Sequence, residues 1–208
     1  MAMTARQIKP VVFILALLPL ASIGAGLWLD RLGANPVEAI IRGTGDWTLR
    51  LLLITLAVSP ARRLLGWRWV MGLRRMLGLF VWFYASLHLL SYLWLDQFFD
   101  WREIFYDILE RPFITVGVLG WLLLTPLALT STNAAMRRLG TNWKRLHRLV
   151  YLIAILGVLH FWWLVKADVR EPFIYMAILA LLFAERIRHG VRRKASAGKG
   201  SSLQPKVC

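Results

Sequence analysis

The sequence has a single cysteine and few acidic residues. Cys208 has no second cysteine with which to form an intramolecular disulfide. Cysteine usage therefore does not indicate a redox compartment. Acidic residues number 11, against 26 Lys and Arg. The GxGxxG pattern, the P-loop and the CxxC motif are also absent, and no internal repeat is visible. These absences argue against a nucleotide-binding domain and a soluble catalytic domain.

Long apolar runs are what the chain has in abundance. Hydrophobic residues make up 58% of it and gather in runs of about 18–20 residues, which is the length that crosses a bilayer as a helix. The sequence therefore predicts an all-α integral membrane bundle of six transmembrane helices. Its predicted parts are a cytoplasmic N-terminus (1–10), a six-helix membrane domain (11–187) and a basic, disordered tail (188–208). The six predicted spans are residues 11–29, 47–58 with a further turn to Pro60, 74–94, 112–130, 146–165 and 172–187.

Two segments allow a second interpretation. A signal peptide is the second interpretation of the first span, because residues 21–25 offer small side chains for cleavage. The apolar run continues to Leu29, however, and is longer than the usual apolar core of about 7–15 residues. The connection at 96–111 is acidic and aromatic, and is able to form a helix on the membrane surface.

Basic residues concentrate on one side of the predicted bundle. This side consists of the N-terminus, the second and fourth connections and the tail, together with the adjacent helix ends. It holds 19 of the 26 Lys and Arg residues and only one of the 11 acidic residues. Under the positive-inside rule both termini are cytoplasmic. Because the charges flank apolar runs, the net charge of +15 predicts a membrane orientation and no nucleic-acid binding.

Two histidines lie at similar depth in the predicted membrane. His88 is about 18 Å along the third span and His160 about 20 Å along the fifth, at about 1.5 Å rise per residue. Two neutral imidazoles at one depth can be the axial ligands of a haem iron. Small residues near them would leave room for a flat macrocycle: Ala85, Ser86, Ala154 and Gly157. Single intramembrane histidines also join helices by hydrogen bonds, so that alternative stays open. Zinc is disfavoured because no carboxylate or cysteine lies at that depth.

His147 and Arg74 lie at the cytoplasmic edge of the same two spans. His147 is either an interfacial histidine or an inner haem ligand, and guanidinium does not ligate haem iron. Arg74 can instead pair with haem propionates by charge-assisted hydrogen bonds. His147 and His160 are 13 residues apart, which places them about 140° apart around a helix, so stacked sites do not follow from spacing.

The chain resembles the MsrQ/YedZ family, the haem-binding membrane subunits of the bacterial protein-methionine-sulfoxide reductase system, within the ferric-reductase-like transmembrane group. The matching stretches are TGDWTLRLLLITLAVSP, RRMLGLFVWFYASLHLLSYLWLDQ, RPFITVGVLGWLLLTPLALTSTNAAMRRLGTNWKRLHRLVYL and HFWWLVKADVREPFIY. The resemblance implies that His88 and His160 are haem ligands and that His147 is linked to haem binding. The wider group often has a second histidine on the third span, where this chain has Arg74.

The resemblance also implies a function. Such subunits carry electrons in the bacterial inner membrane from quinol through b-type haem, one or two per chain, and are associated with FMN. The recipient is a periplasmic molybdopterin-containing reductase that repairs methionine sulfoxide in envelope proteins, so catalysis is expected in the partner. Two alternatives stay open: a transmembrane ferric or oxygen reductase acting alone, and a non-redox membrane scaffold or small transporter.

Overall fold

The computed structural model describes residues 5–165 and 168–201. Over these ranges the chain contains helices and connections but no β-strand, which confirms the all-α prediction. The helices are α1 (Ala5–Trp28), α2 (Pro36–Leu64), α3 (Arg74–Ser91), α4 (Trp101–Glu110), α5 (Pro112–Leu129), α6 (Asn133–Leu139), α7 (Thr141–Leu146), α8 (Leu149–Leu164) and α9 (Arg170–Ser201). A 3₁₀ turn (Arg68–Gly72) precedes α3, and a π-helical turn (Tyr92–Asp96) extends it.

The second helix is much longer than the sequence predicted. It begins at Pro36, where the Asn35 side chain caps the backbone N–H of Glu38, and it continues through Pro60 to Leu64. The glycines of the predicted connection, Gly43 and Gly45, therefore lie inside a helix. Asparagine at the N-cap and proline at the first helical position are a strong start signal, which outweighs the local helix-weakening effect of the glycines.

Two other predicted boundaries differ from the structure. The predicted fifth span divides at residues 147–148 into α7 and α8, with His147 at the C-cap of α7. The last helix, α9, continues to Ser201, whereas the sequence predicted disorder from residue 188. No proline interrupts residues 173–201, so no residue type in that stretch blocks helical hydrogen bonding. Residues 202–208 of the predicted tail lie outside the described residues.

Four helical segments are long and apolar enough to cross a membrane. They are Arg6–Trp28, Arg74–Asp96, Pro112–Leu129 and Thr141–Leu164. The chain is therefore a membrane protein. Both α2 and α9 carry charged residues within their apolar stretches, and six spans with cytoplasmic termini remain a prediction.

The charges on α2 and α9 have partners across the interface between these helices. Arg63 forms an ion pair with Glu185, and Arg186 Nη2 donates to the carbonyl of Leu56 at 2.7 Å. Arg50 Nε donates to the Tyr175 hydroxyl at 2.9 Å. Charges within a membrane are tolerated when they face the bundle interior and are paired. The pairing therefore suits two helices that lie side by side in a bilayer.

A buried hydroxyl of α3 contacts the backbone of the first helix beside a proline. Pro19 lies inside α1. Tyr84 of α3 is fully buried; its hydroxyl donates to the Ala16 carbonyl at 2.7 Å and accepts from the Leu20 backbone N–H at 3.2 Å. In a regular helix that N–H would bond to that carbonyl directly. The tyrosine hydroxyl thus bonds to two backbone groups of the helical turn that contains the proline.

Candidate functional site

His88 and His160 face each other between two pairs of helices. His88 lies on α3, which packs mainly on α2, and His160 lies on α8, which packs mainly on α5. Their ring centroids are 6.0 Å apart, and the ring planes are nearly perpendicular at 82°. The structure therefore brings together the two histidines that the sequence placed at similar depth.

Each imidazole is held through its Nδ1 by a backbone carbonyl of the neighbouring helix. His88 Nδ1 lies 2.9 Å from the Ile41 oxygen on α2, and His160 Nδ1 lies 2.6 Å from the Phe113 oxygen on α5. A carbonyl only accepts, so Nδ1 carries the proton in both rings and Nε2 keeps its lone pair. Metal-binding histidines are commonly oriented in this way, with the second nitrogen donating to a carbonyl.

Two glycines provide the space in which the imidazole rings lie. A Cβ at Gly45 on α2 would lie 3.1 Å from the ring of His88, and a Cβ at Gly117 on α5 would lie 2.9 Å from the ring of His160. Contacts this short require one of the groups to move. The sequence reasoning did not identify either glycine, and it placed Gly45 in a connection.

The two halves of the site repeat along the chain. In each half the histidine follows its carbonyl partner by 47 positions, and the glycine lies one helical turn after that carbonyl. Ile41, Gly45 and His88 each precede their counterparts Phe113, Gly117 and His160 by the same 72 positions. This equal spacing is the signal that could have identified the glycines from the sequence, although no broader sequence repeat accompanies it.

A largely apolar cavity of about 350 Å³ adjoins both histidines. Ala85 and Gly157 line it, as the sequence predicted for small residues near the histidines. The same prediction was wrong for Ser86 and Ala154, which are not among its lining residues. Ser86 accepts a hydrogen bond from Trp121 Nε1 at 3.0 Å, and Ala154 is fully buried in helix packing. Helical periodicity gave their depth but not the face on which they lie.

The donor set suits a flat metal complex held by two axial ligands. Bonds between a transition metal and imidazole nitrogen are about 2 Å long, so rings on opposite sides of one metal have centres about 6 Å apart. The observed separation of 6.0 Å agrees with this value, although aromatic contacts also occur at such distances. Two free Nε2 atoms beside an apolar cavity distinguish the pair from a simple ring contact. Among the described residues, no group of three or more His, Cys, Asp or Glu side chains is placed to hold a metal ion.

The outer rim of the cavity is charged. Arg42 and Arg111 line it together with Asp46 and Asp96. Arg111 Nε lies 3.0 Å from an oxygen of Asp107, a buried carboxylate. The hydroxyl of Tyr92, which also lines the cavity, donates to the other oxygen of Asp107 at 3.0 Å. The sequence reasoning did not single out either arginine.

His147 and Arg74 are not part of this cavity. His147 lies at the C-cap of α7, 13 residues before His160, and its ring stacks on Trp143 with centroids 3.9 Å apart. Its Nδ1 lies 3.1 Å from the Trp143 carbonyl, and its buried Nε2 forms no hydrogen bond of normal geometry, although the backbone of Leu127 is close to the ring. Arg74 is close enough to His147 for their charges to interact. The predicted inner residues thus form a separate group.

Comparisons with known proteins give one family match and many similar relatives. Residues 44–158 match the family described as "Ferric reductase like transmembrane component". A protein of Azospira oryzae is 54% identical over 194 residues, which cover 91% of this chain and 83% of the relative, and is named "Protein-methionine-sulfoxide reductase heme-binding subunit MsrQ". The chain belongs to the MsrQ family. Two further relatives have the same name. The one from Xanthomonas campestris is 50% identical over 95% of this chain and 93% of the relative, and the one from Rhodospirillum rubrum is 54% identical over 89% of each.

The match to MsrQ proteins covers most of the chain. The ferric-reductase-like region includes His88 and ends two residues before His160, and the alignments to the relatives are longer than this region. No solved structure matches the chain.

Proposed function

We propose that this chain is a haem b-binding electron-transfer subunit of the inner membrane. Electrons would pass from membrane quinol to a periplasmic molybdenum-dependent reductase, which would repair methionine sulfoxide in envelope proteins. The observation that carries the proposal is the pair His88 and His160, whose rings lie 6.0 Å apart beside an apolar cavity with both Nε2 atoms unprotonated. Membership of a family whose relatives are named haem-binding subunits supports the same assignment.

The residues of the chain would hold haem in defined ways. His88 and His160 would supply the two axial nitrogens, and the carbonyls of Ile41 and Phe113 would fix the tautomer and raise the basicity of each ring. Gly45 and Gly117 would let the rings lie close to the helix backbones. When bound, haem would supply a one-electron carrier in a low-dielectric site. Because His88 and His160 would both bind the iron, the site would suit electron transfer better than the binding of external ligands.

Several parts of the proposal rest on the family resemblance. FMN, the molybdopterin-containing partner and quinol are included on that basis. His147 and Arg74 are proposed as additional cofactor-binding residues, because the family resemblance links His147 to haem binding and the charge of Arg74 acts on the His147 ring. These two residues would serve a second haem or another anionic cofactor. Sulfoxide reduction itself is assigned to the partner subunit.

The orientation proposed is six spans with both termini in the cytoplasm. The cross-interface pairs of Arg63 with Glu185 and Arg50 with Tyr175 support α2 and α9 as the two spans that carry charges. Under this orientation His88 and His160 lie in the outer half of the membrane, which is the shorter distance to a periplasmic acceptor.

The first experiment is a reduced-minus-oxidised absorption spectrum of the protein purified in mild detergent. A sharp low-spin b-type α-band is expected. His88→Ala and His160→Ala should each abolish the band from this site, because each variant removes an axial ligand. The control is His189→Ala, in the exposed basic part of α9, which should leave the band unchanged. His147→Ala should retain at least one haem.

Two outcomes would contradict the proposal. A protein without haem bands after expression with sufficient haem would favour a membrane scaffold, in which the histidines only join helices. Retained haem that reduces ferric iron or oxygen without any partner would favour the stand-alone reductase.

A further inference from the structure

Arg42 and Arg111 both line the histidine cavity, and each is close in the chain to a residue whose carbonyl holds a histidine. Arg42 follows Ile41, the residue whose carbonyl holds His88. Arg111 precedes by two positions Phe113, whose carbonyl holds His160. Among the cavity-lining residues that the structure describes, these two are the permanent cations.

Each arginine is oriented by a carboxylate one helical turn earlier. Arg42 Nη2 lies 2.7 Å from Glu38, and Arg111 Nε lies 3.0 Å from Asp107. Asp107 is itself fixed, since it is buried and accepts from the Tyr92 hydroxyl. A guanidinium group has five N–H donors in a planar fork, so the pairing leaves donors on each arginine for a second anion.

The acids on the same rim have partners of their own. A carboxylate oxygen of Asp46 lies 3.7 Å from Arg50 Nη2, and the charge of Asp46 also interacts with that of Arg42. Asp96 accepts from the side-chain amide of Gln97 at 2.9 Å. The contacts with Arg50 and Gln97 reduce the competition of these acids for Arg42 and Arg111. The rim therefore offers two cations to an anionic group that projects from the cavity.

We propose that Arg42 and Arg111 bind the two propionate carboxylates of the haem that His88 and His160 would hold. This inference rests on the proposed function. Two ionised carboxylates cannot be buried in an apolar cavity without charged or hydrogen-bonding partners, and arginine binds carboxylates through paired N–H donors. The carboxylate edge of the macrocycle would then face the outer surface, and its other edges would lie among the apolar helix faces.

A simpler interpretation is that these arginines form surface ion pairs with no ligand. Both side chains are more than half exposed, and exposed i,i+4 pairs contribute little to stability. The two interpretations differ in whether the arginines recognise the carboxylates of haem.

The test compares haem with haem dimethyl ester, in which both carboxylates are blocked, by reconstitution of the apoprotein in detergent. We expect the wild-type chain to bind haem at least tenfold more tightly than the ester. Arg42→Gln and Arg111→Gln should each weaken haem binding by about tenfold without weakening ester binding, and the double variant should lose the discrimination. Arg102→Gln, on the exposed face of α4 and outside the cavity lining, is the matched control.

The reduction potential provides a second measurement. A nearby cation stabilises the reduced haem, which carries one positive charge fewer, so Arg42→Gln and Arg111→Gln should lower the midpoint potential and Arg102→Gln should not. Equal binding of haem and ester by the wild-type chain would overturn the inference without any variant. Variants that match Arg102→Gln in affinity and potential, with a normal b-type spectrum, would also overturn it and leave the proposed function intact. Absence of haem from the wild-type protein would overturn both.

Discussion

At the scale of single residues, the most constrained groups of the site are its backbone atoms and glycines. The Nδ1 atoms of His88 and His160 are bound by carbonyls of adjacent helices, and Gly45 and Gly117 lie directly beneath the rings. Neither the carbonyls nor the glycines bear functional groups that a sequence scan would select. The chemistry of each histidine nevertheless depends on them. The carbonyl determines which ring nitrogen is free, and the glycine leaves space for the ring.

Substitution of Gly117 by alanine tests this dependence. Its Cβ would lie 2.9 Å from the His160 ring, so either the ring or α5 must shift, at a cost of about 1–3 kcal/mol. We expect a lower haem content per protein and a lower Tm in detergent. Gly78→Ala is the control, because a Cβ there meets no atom within 4 Å. Equal losses in both variants would mean that the close approach is unimportant.

At the scale of helices, polar contacts join elements whose apolar faces do not specify a unique neighbour. The hydroxyl of Tyr84 bridges Ala16 and Leu20 beside Pro19 and so joins α3 to α1. The ion pair of Arg63 and Glu185 joins α2 to α9. In a bilayer, lipid is as apolar as leucine, so such contacts and close packing determine which helices associate.

Tyr84→Phe measures the contribution of that hydroxyl. Its loss leaves the Ala16 carbonyl and the Leu20 N–H without the bridge, so unfolding free energy should fall by about 1–3 kcal/mol. Thermal unfolding in detergent gives the comparison. Tyr106→Phe, at an exposed position on α4, should change the Tm little. If the two variants unfold at the same temperature, the bridge contributes no net stability.

At the scale of the whole molecule, the charge distribution predicts the orientation in the membrane. The side rich in Lys and Arg includes the tail, whose only cysteine is Cys208. That orientation places the paired histidines toward the opposite, outer surface.

A membrane-impermeant maleimide tests the orientation directly. In intact cells, with the outer membrane made permeable, Cys208 should stay unlabelled until the inner membrane is also permeabilised. A Cys208→Ser, Ala34→Cys variant, which places the cysteine in the connection before α2, should be labelled without that step. Immediate labelling of Cys208 would reverse the predicted orientation.

Local sequence features predicted most of the helices but not their limits or contacts. The apolar runs located α1, α3, α5 and α8 because span length and hydropathy are local properties. The start of α2 was missed because Gly43 and Gly45 suggested a connection, whereas Asn35 and Pro36 begin a helix there. The sequence also placed His88 and His160 at one depth, since rise per residue is constant along a helix.

The sequence by itself determined that this is a helical membrane protein, that it resembles the MsrQ family, and that two histidines share one depth. Only the tertiary structure decided that their rings face each other across 6.0 Å, that Ile41 and Phe113 hold them, and that Arg42 and Arg111 flank them. The physical reason is that periodicity fixes the position of a residue along its own helix. The rotation of that helix and the identity of its neighbours depend on side-chain packing between segments distant in the chain.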